Sequence, residues 1–189
     1  MSNGKERLEQ NVTKVAETRK ISCSIKGTAP LLMSVFNPNL ERQRDITPEQ
    51  DCNERLYLYN GEIVQPAIHL EKAMEKMAGE VKIPGAGKKS YRDLVKAFVS
   101  VEPVFIEHKI PKWVVYSVPV VIKATKGRIM RHRPMFPKWE LSFEIVVRNT
   151  KIELSKLEDI LRRAGEFNGL GDYRPKFGRF EVTKFEIQN

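Results

Sequence analysis

Cysteine is scarce in this chain, and long apolar runs are absent. The two cysteines, Cys23 and Cys52, are far apart and have no spacing typical of a metal site or a disulfide framework. We therefore expect free thiols in a reducing cytosol. No apolar run approaches the roughly 20 residues of a membrane span, and the first residues, Met1 to Arg7, lack the apolar segment of a secretory signal. The sequence predicts a cytoplasmic protein without a membrane partner.

Motifs for metal or nucleotide chemistry are also missing. No His-x-x-x-His, Cys-x-x-Cys or acidic pair has the spacing of a metal site, so we expect no metal and no cofactor. The segment Ile83–Ser90 has glycines and lysines, but it lacks the Walker order of Gly, four residues and Gly-Lys-Ser/Thr. We interpret it as a loop in which Ser90 caps the next helix, with Asp93 at the capping-box position.

Acidic residues are too few to balance the basic ones. The chain has 33 Lys and Arg against 24 Asp and Glu, which gives a formal charge of +9. Such a balance favours an anionic partner, such as nucleic acid or an acidic protein surface. The 189 residues, 41% hydrophobic and 30% charged, are ordinary for a folded domain. We expect a polar N-terminal tail or short helix over 1–20 and a single domain over 21–189, with an insertion at 37–65.

Hydrophobic periodicity and turn residues predict the order strand, helix, short helix, two or more strands, helix, strand. Without 37–65, this order is the β-α-β-β-α-β split unit of ferredoxin-like and RRM-like domains. The predicted fold is therefore α+β and ferredoxin-like, with an added β-hairpin and an insertion after the first strand. The local signals in the first half are a strand over 21–36 broken at Gly27, a capping box at Thr47, a hairpin turn at Asn60-Gly61 and a helix from Pro66 to Gly79. In the second half they are a strand in which Pro119 indicates an edge or a bulge, a capping box at Thr150, a helix ending at Gly165 and a last strand over 179–187.

The stretch Gly169–Phe180 combines glycines, cations and aromatic rings. Glycine permits positive φ and close approach, so the stretch predicts a shaped loop with exposed N–H groups that suit a phosphate. Its rings, such as Tyr173, suit an unstacked base. The alternative is a helix C-cap, a turn and an edge strand whose basic side chains face water. The candidate nucleic-acid contacts are Gly169, Gly171, Arg174, Lys176, Gly178 and Arg179.

The position of Gly169, Gly171 and Gly178, between the last helix and the last strand, resembles the RAMP superfamily of CRISPR-associated, ferredoxin-like RNA-binding proteins. That family includes repeat-processing endoribonucleases and backbone subunits of crRNA complexes, so the resemblance implies an RNA partner. The family loop carries a further glycine pair where this chain has Gly178-Arg179-Phe180. The run from Thr47 to Gly61, followed by Pro66, also resembles uncharacterised bacteriophage-encoded proteins, which implies a bacterial or archaeal host cell.

A second basic cluster lies upstream. Arg128, Arg131, His132, Arg133 and Lys138 surround a segment that contains Phe136 and Trp139. Cations and rings alternate in this way on single-strand binding surfaces, and two such arms could flank a backbone groove. The alternative is that Phe136 and Trp139 anchor the core.

Catalysis would require further groups. RNA cleavage without a metal ion needs a general base near a ribose 2′-hydroxyl, usually histidine, and a lysine or tyrosine to stabilise the developing charge. His132 with Tyr173 is the best candidate pair, unless His132 is one more phosphate contact.

Three functions stay open: a non-enzymatic protein that binds RNA or single-stranded DNA, which we favour; a metal-independent endoribonuclease; and a phage-encoded interaction module that docks on a host nucleic-acid complex or forms a homo-oligomer.

Overall fold

The computed structural model describes residues 18–37, 46–121 and 127–188. The predicted tail or short helix over 1–20 lies mostly outside these residues, as does part of the 37–65 insertion. The elements are, in chain order, β1 (Arg19–Gly27), β2 (Leu31–Leu32), α1 (Pro48–Asn53), β3 (Leu58–Tyr59), β4 (Glu62–Pro66), α2 (Ala67–Ala78), α3 (Arg92–Phe98), β5 (Val99–Glu102), β6 (Phe105–Glu107), β7 (Val114–Val121), β8 (Arg128–Phe136), β9 (Glu140–Val147), α4 (Leu154–Arg163) and β10 (Phe180–Gln188). A π-helical turn, Ala164–Asn168, extends α4. The α+β class is confirmed.

The largest sheet has the strand order β10-β1-β9-β5, and each neighbouring pair is antiparallel. Ile21, Cys23 and Ile25 alternate along β1 and are buried, opposite the buried residues of β9. Helices α2 and α4 contact each other, and they pack against β5 and β10 respectively. The period-2 pattern of the central strands therefore puts one apolar face under the helices. In the described residues, no helix is long and apolar enough to cross a bilayer.

Two smaller sheets extend this core. In the order β2-β8-β7, the strand β7 is an edge that contains Pro119, as predicted. The third sheet, β3-β4-β6, contains the predicted hairpin, and its turn residues Asn60 and Gly61 have φ of 51° and 85°. Both angles are positive, as a type I′ turn requires.

Helix α1 is tied to β8 by a buried carboxylate. Asp51 Oδ2 accepts a hydrogen bond from the backbone N–H of His132 at 3.2 Å, and its Oδ1 accepts one from Arg55 Nε at 2.8 Å. The helix begins at the predicted capping box, in which the Gln50 N–H donates to Thr47 Oγ1 and the Thr47 N–H donates to Gln50 Oε1. Local capping and a long-range hydrogen bond thus fix this helix against the sheet β2-β8-β7.

The two other predicted caps are wrong. Helix α3 begins at Arg92 without a side-chain cap, because Ser90 instead forms a β-bridge with Lys82. Helix α4 begins at Leu154 without the predicted box, because Asn149 Oδ1 accepts a hydrogen bond from the Lys151 N–H and forms its own turn before the helix. In both cases the capping residue type is present, but another partner or turn displaces the helix start.

The predicted end of the last helix is also wrong. Gly165 does not stop it, because the π-helical turn continues to Gly169, whose φ is +71°. A Cβ on Gly165 would overlap the Phe180 carbonyl oxygen, so this glycine allows β10 to approach the helix closely. The glycine serves packing rather than termination.

Both cysteines are free thiols, as predicted. Burial raises the pKa of Cys23 to about 12 and that of Cys52 to about 11. Both thiols therefore stay protonated at neutral pH and are poor nucleophiles.

The buried side chain of His108 makes the free energy of unfolding depend on pH. Its side chain is 6% exposed and stacks on Phe136, with ring centroids 5.1 Å apart, and neither ring nitrogen has a partner among the described residues. Burial lowers the pKa of His108 from 6.5 to about 4. His108 is therefore protonated at a higher pH in the unfolded chain than in the folded one. The free energy of unfolding falls by roughly 3 kcal/mol in total as the pH falls from 6.5 toward 4.

The variant His108→Phe is expected to lose this part of the pH dependence of the free energy of unfolding. Urea unfolding of the wild type and the variant at several pH values between 7 and 4 measures it. The free energy of unfolding of the variant should fall less steeply over this range, because a phenyl ring cannot bind the proton. Equal pH slopes for the two proteins would contradict the assignment.

Candidate nucleic-acid interface

The glycine loop, residues 169–178, is held against β2 by its own backbone. The Asp172 N–H donates to the Leu32 carbonyl at 2.9 Å, and the Gly178 N–H donates to the Pro30 carbonyl at 2.7 Å. A Cβ on Gly171 would overlap the Leu32 carbonyl oxygen. The close approach that glycine permits is therefore to the chain itself, and the predicted exposure of the loop N–H groups is wrong for these donors.

The glycine loop and the basic arm, residues 128–138, meet at Arg133. Arg133 Nε lies 2.7 Å from Asp172 Oδ2, and the guanidinium lies over the Tyr173 ring at 5.2 Å. Tyr116, opposite Arg133 in the β7–β8 ladder, contacts the Phe177 ring at a centroid distance of 5.3 Å. The two clusters that the sequence singled out are thus joined by the Arg133–Asp172 ion pair and by the contact of Arg133 with the Tyr173 ring.

The other predicted cations are spread over the surface. Arg128 is exposed at the far end of β8, roughly 17 Å along the strand from Arg133. Arg179 lines a separate cavity with Arg162 and Glu166. The remaining members are the exposed Lys138, the half-buried Arg131 and the exposed Lys176, which lies 6.0 Å from the Phe177 ring centroid.

The structure does not bring His132 and Tyr173 together. Successive side chains of a strand point to opposite faces, so His132 faces away from the side on which Arg133 meets Tyr173. His132 Nδ1 lies 2.7 Å from Ser117 Oγ instead.

Phe136 and Trp139 are buried, so the alternative reading of these rings as core anchors is confirmed. Trp139 Nε1 donates to the Ala29 carbonyl at 2.9 Å. A Cβ on Gly27 would overlap this indole, so the glycine makes room for the ring. Neither ring is available to a base.

Two cavities flank the glycine loop and share Gly171, Asp172 and Arg174. The first has a volume of about 380 Å³, and the second has about 390 Å³. We call the two together the groove. The first is also lined by Ser34, Tyr57, His69 and Lys72, and the second by Lys76, Phe167, Asn168, Tyr173 and Pro175.

Helix α2 supplies one wall of the groove, which our sequence reasoning missed. His69, Lys72 and Lys76 follow each other at spacings of three and four residues and so share one face of the helix. The same period places Leu70 and Met74 in the core. The polar stripe was therefore visible in the sequence, but nothing in it showed that the stripe lies beside a loop a hundred residues later.

His69 offers a neutral hydrogen-bond donor to the first cavity. Its Nδ1 lies 2.6 Å from the amide nitrogen of the buried Gln65. With this amide nitrogen as the donor, Nδ1 accepts, and the neutral ring carries its hydrogen on Nε2. Burial, with a smaller contribution from Arg174, lowers the pKa of His69 below 6.5. The ring is therefore uncharged at pH 7.

The charged side chains of the groove differ in whether an oppositely charged side chain lies beside them. Lys72 Nζ lies 2.7 Å from Glu75 Oε2, and Asp172 is paired with Arg133. Among the described residues, neither Lys76 nor Arg174 has a carboxylate partner. These two cations are thus the ones that an external anion would meet.

Comparison with known proteins adds one likeness of fold. No family model and no curated protein matches the chain. Among solved structures, it is similar to a chain of the Type III-B Cmr-beta complex bound to cognate target RNA, determined by cryo-EM. The TM-score is 0.63 and the identity 14%, over 99% of this chain and 68% of that chain. At this identity the likeness concerns the fold alone.

Proposed function

We propose that this chain binds RNA in the groove and holds the sugar-phosphate backbone with little sequence preference. The observation that carries the proposal is the position of Lys76 and Arg174, which both line the second cavity and have no carboxylate partner among the residues that the structure describes. In the first cavity, the neutral His69 donor lies beside Arg174. Cations and neutral N–H donors that converge on one groove suit phosphate oxygens.

The fold supports the same proposal. The unit β1-α2-β5 is split by β9, and the unit β9-α4-β10 is split by β1. This interleaving is what the ferredoxin-like split β-α-β unit requires, and we propose that fold for a single domain over 21–189. The solved structure that the chain resembles belongs to a complex bound to target RNA. We therefore also propose a RAMP-like relationship and membership of an RNA-containing cytoplasmic complex.

The groove favours binding over cleavage. A metal-independent endoribonuclease needs a histidine with a free lone pair to remove the 2′-hydroxyl proton. When the Gln65 amide nitrogen donates to His69 Nδ1, Nε2 carries the proton, and the neutral ring then has no lone pair to offer. His132 is on the opposite face of β8 from Arg133. We therefore propose a non-enzymatic binder.

The test is the salt dependence of binding to a short labelled single-stranded RNA. Lys76→Ala and Arg174→Ala are each expected to lower the slope of log affinity against log salt by about 0.7 and to weaken binding roughly 5-fold near 0.1 M salt. The matched controls are Lys88→Ala and Lys89→Ala, which remove the same charge from an exposed loop outside the groove. Equal slopes for the groove variants and the wild type would contradict the proposal.

A further inference from the structure

Building on the proposed RNA binding, we infer that the second cavity is a base-binding site, in which one unstacked base of the RNA stacks on Phe167 and Tyr173. Both rings line this cavity together with Lys76 and Arg174. Its volume of about 390 Å³ lies within the range of small-ligand sites, about 300–1,000 Å³. Rings and cations are thus available to a base and to the phosphates attached to it.

Phe167 is exposed by the local backbone. The π-helical turn after α4 buries the neighbouring Asn168 and leaves Phe167 56% exposed. The Asn168 side chain donates to the Gly169 carbonyl at 2.9 Å and so fixes the start of the glycine loop. A π-helical turn is uncommon and occurs often at functional sites. The phenyl ring of Phe167 thus lies largely in solvent beside the basic cavity.

Tyr173 is held in position by other parts of the loop and the arm. It has φ of +56°, which non-glycine residues seldom adopt, and its N–H donates to Asp172 Oδ1 at 2.9 Å. The Arg133 guanidinium lies over the ring and Phe177 contacts its edge, yet the residue remains 47% exposed. The ion pair of Arg133 with Asp172 therefore orders a ring whose remaining surface faces solvent and the cavity.

The first cavity is less suited to a base. Its rings, Tyr57 and His69, already pack edge to face with centroids 5.2 Å apart. It offers the His69 donor and the Ser34 side chain, which suit phosphate or sugar oxygens. One RNA strand thus contacts both cavities, with its sugar-phosphate backbone in the first and a stacked base in the second. Stacking tolerates every base, in agreement with the low sequence preference proposed above.

The experiment compares a labelled single-stranded RNA with the same RNA in which the bases are removed and the ribose-phosphate chain is kept. The wild type is expected to bind the abasic RNA roughly 10- to 100-fold more weakly. Phe167→Ala and Tyr173→Ala should bind the intact RNA weakly and lose most of this discrimination, at an unchanged salt slope. Tyr173→Phe should behave like the wild type, because it keeps the ring. Tyr59→Ala removes an exposed ring that stacks on Phe105 outside the groove and should have no effect.

The outcomes separate the base site from the groove itself. Equal affinity of the wild type for both RNAs, or full discrimination by Phe167→Ala, would overturn the base site while leaving backbone binding intact. Absence of binding to either RNA by the wild type would overturn both proposals. Phe167→Ala keeps the test decisive if Tyr173→Ala unfolds the loop, which thermal melting of each variant reports.

Discussion

The double variant Lys76→Glu/Arg174→Glu is expected to bind single-stranded RNA roughly 100-fold more weakly than the wild type near 0.1 M salt. Two lost phosphate contacts account for roughly 25-fold of this, since each contributes about 0.7 to the salt slope. The two new carboxylates account for the rest of the loss, because they repel the phosphates of the RNA. Fluorescence anisotropy with a labelled RNA measures the loss.

A charge-matched control separates the groove from the overall charge. Lys88→Glu/Lys89→Glu makes the same change of net charge in the exposed loop over 83–90. It should weaken binding far less, because exposed charges separated by more than about 10 Å are largely screened at 0.1 M salt. Equal losses in the two double variants would mean that RNA senses only the overall charge of the protein.

Gly178→Ala is expected to lower the free energy of unfolding by about 3 kcal/mol or more. Its φ is +74°, and a Cβ at this position would overlap the Leu170 carbonyl oxygen. The loop cannot move away without losing the hydrogen bond from the Gly178 N–H to the Pro30 carbonyl, 2.7 Å long. Urea unfolding followed by circular dichroism measures the change.

Gly85→Ala isolates the conformational part of this effect. Gly85 has a similar φ of +73°, but nothing lies within 4 Å of a Cβ there. It should lose only about 1–2 kcal/mol, the cost of a left-handed alanine. If Gly178→Ala were no more destabilising than Gly85→Ala, the close packing of the glycine loop on the chain's own backbone would be wrong.

The elements that could be predicted are those with local causes. The capping box at Thr47 and the turn at Asn60-Gly61 each depend on residues within a few positions of one another. The cap at Ser90 failed because a neighbouring strand-like contact with Lys82 competes for the same segment. The predicted helix end at Gly165 is wrong because the role of this glycine depends on Phe180, which the sequence alone does not place beside it.

The candidate site could be predicted only in part. The glycine loop and Arg133 were singled out by composition, but the sequence did not show that Asp172 pairs with Arg133. His132 and Arg133 are adjacent in sequence yet lie on opposite faces of β8, and residue type cannot tell which one reaches the loop. The α2 wall of the groove is contributed by residues a hundred positions away, so long-range packing decides it.

Photo-crosslinking of a 4-thiouridine-labelled single-stranded RNA, with the attachment sites mapped by mass spectrometry, tests the central claim most directly. Crosslinks are expected in the groove, on the α2 face around Lys76 and in the stretch 167–175. Crosslinks concentrated on the polar face of the largest sheet, around Ser22, Ser142 and Lys184, would place the RNA elsewhere and contradict the account.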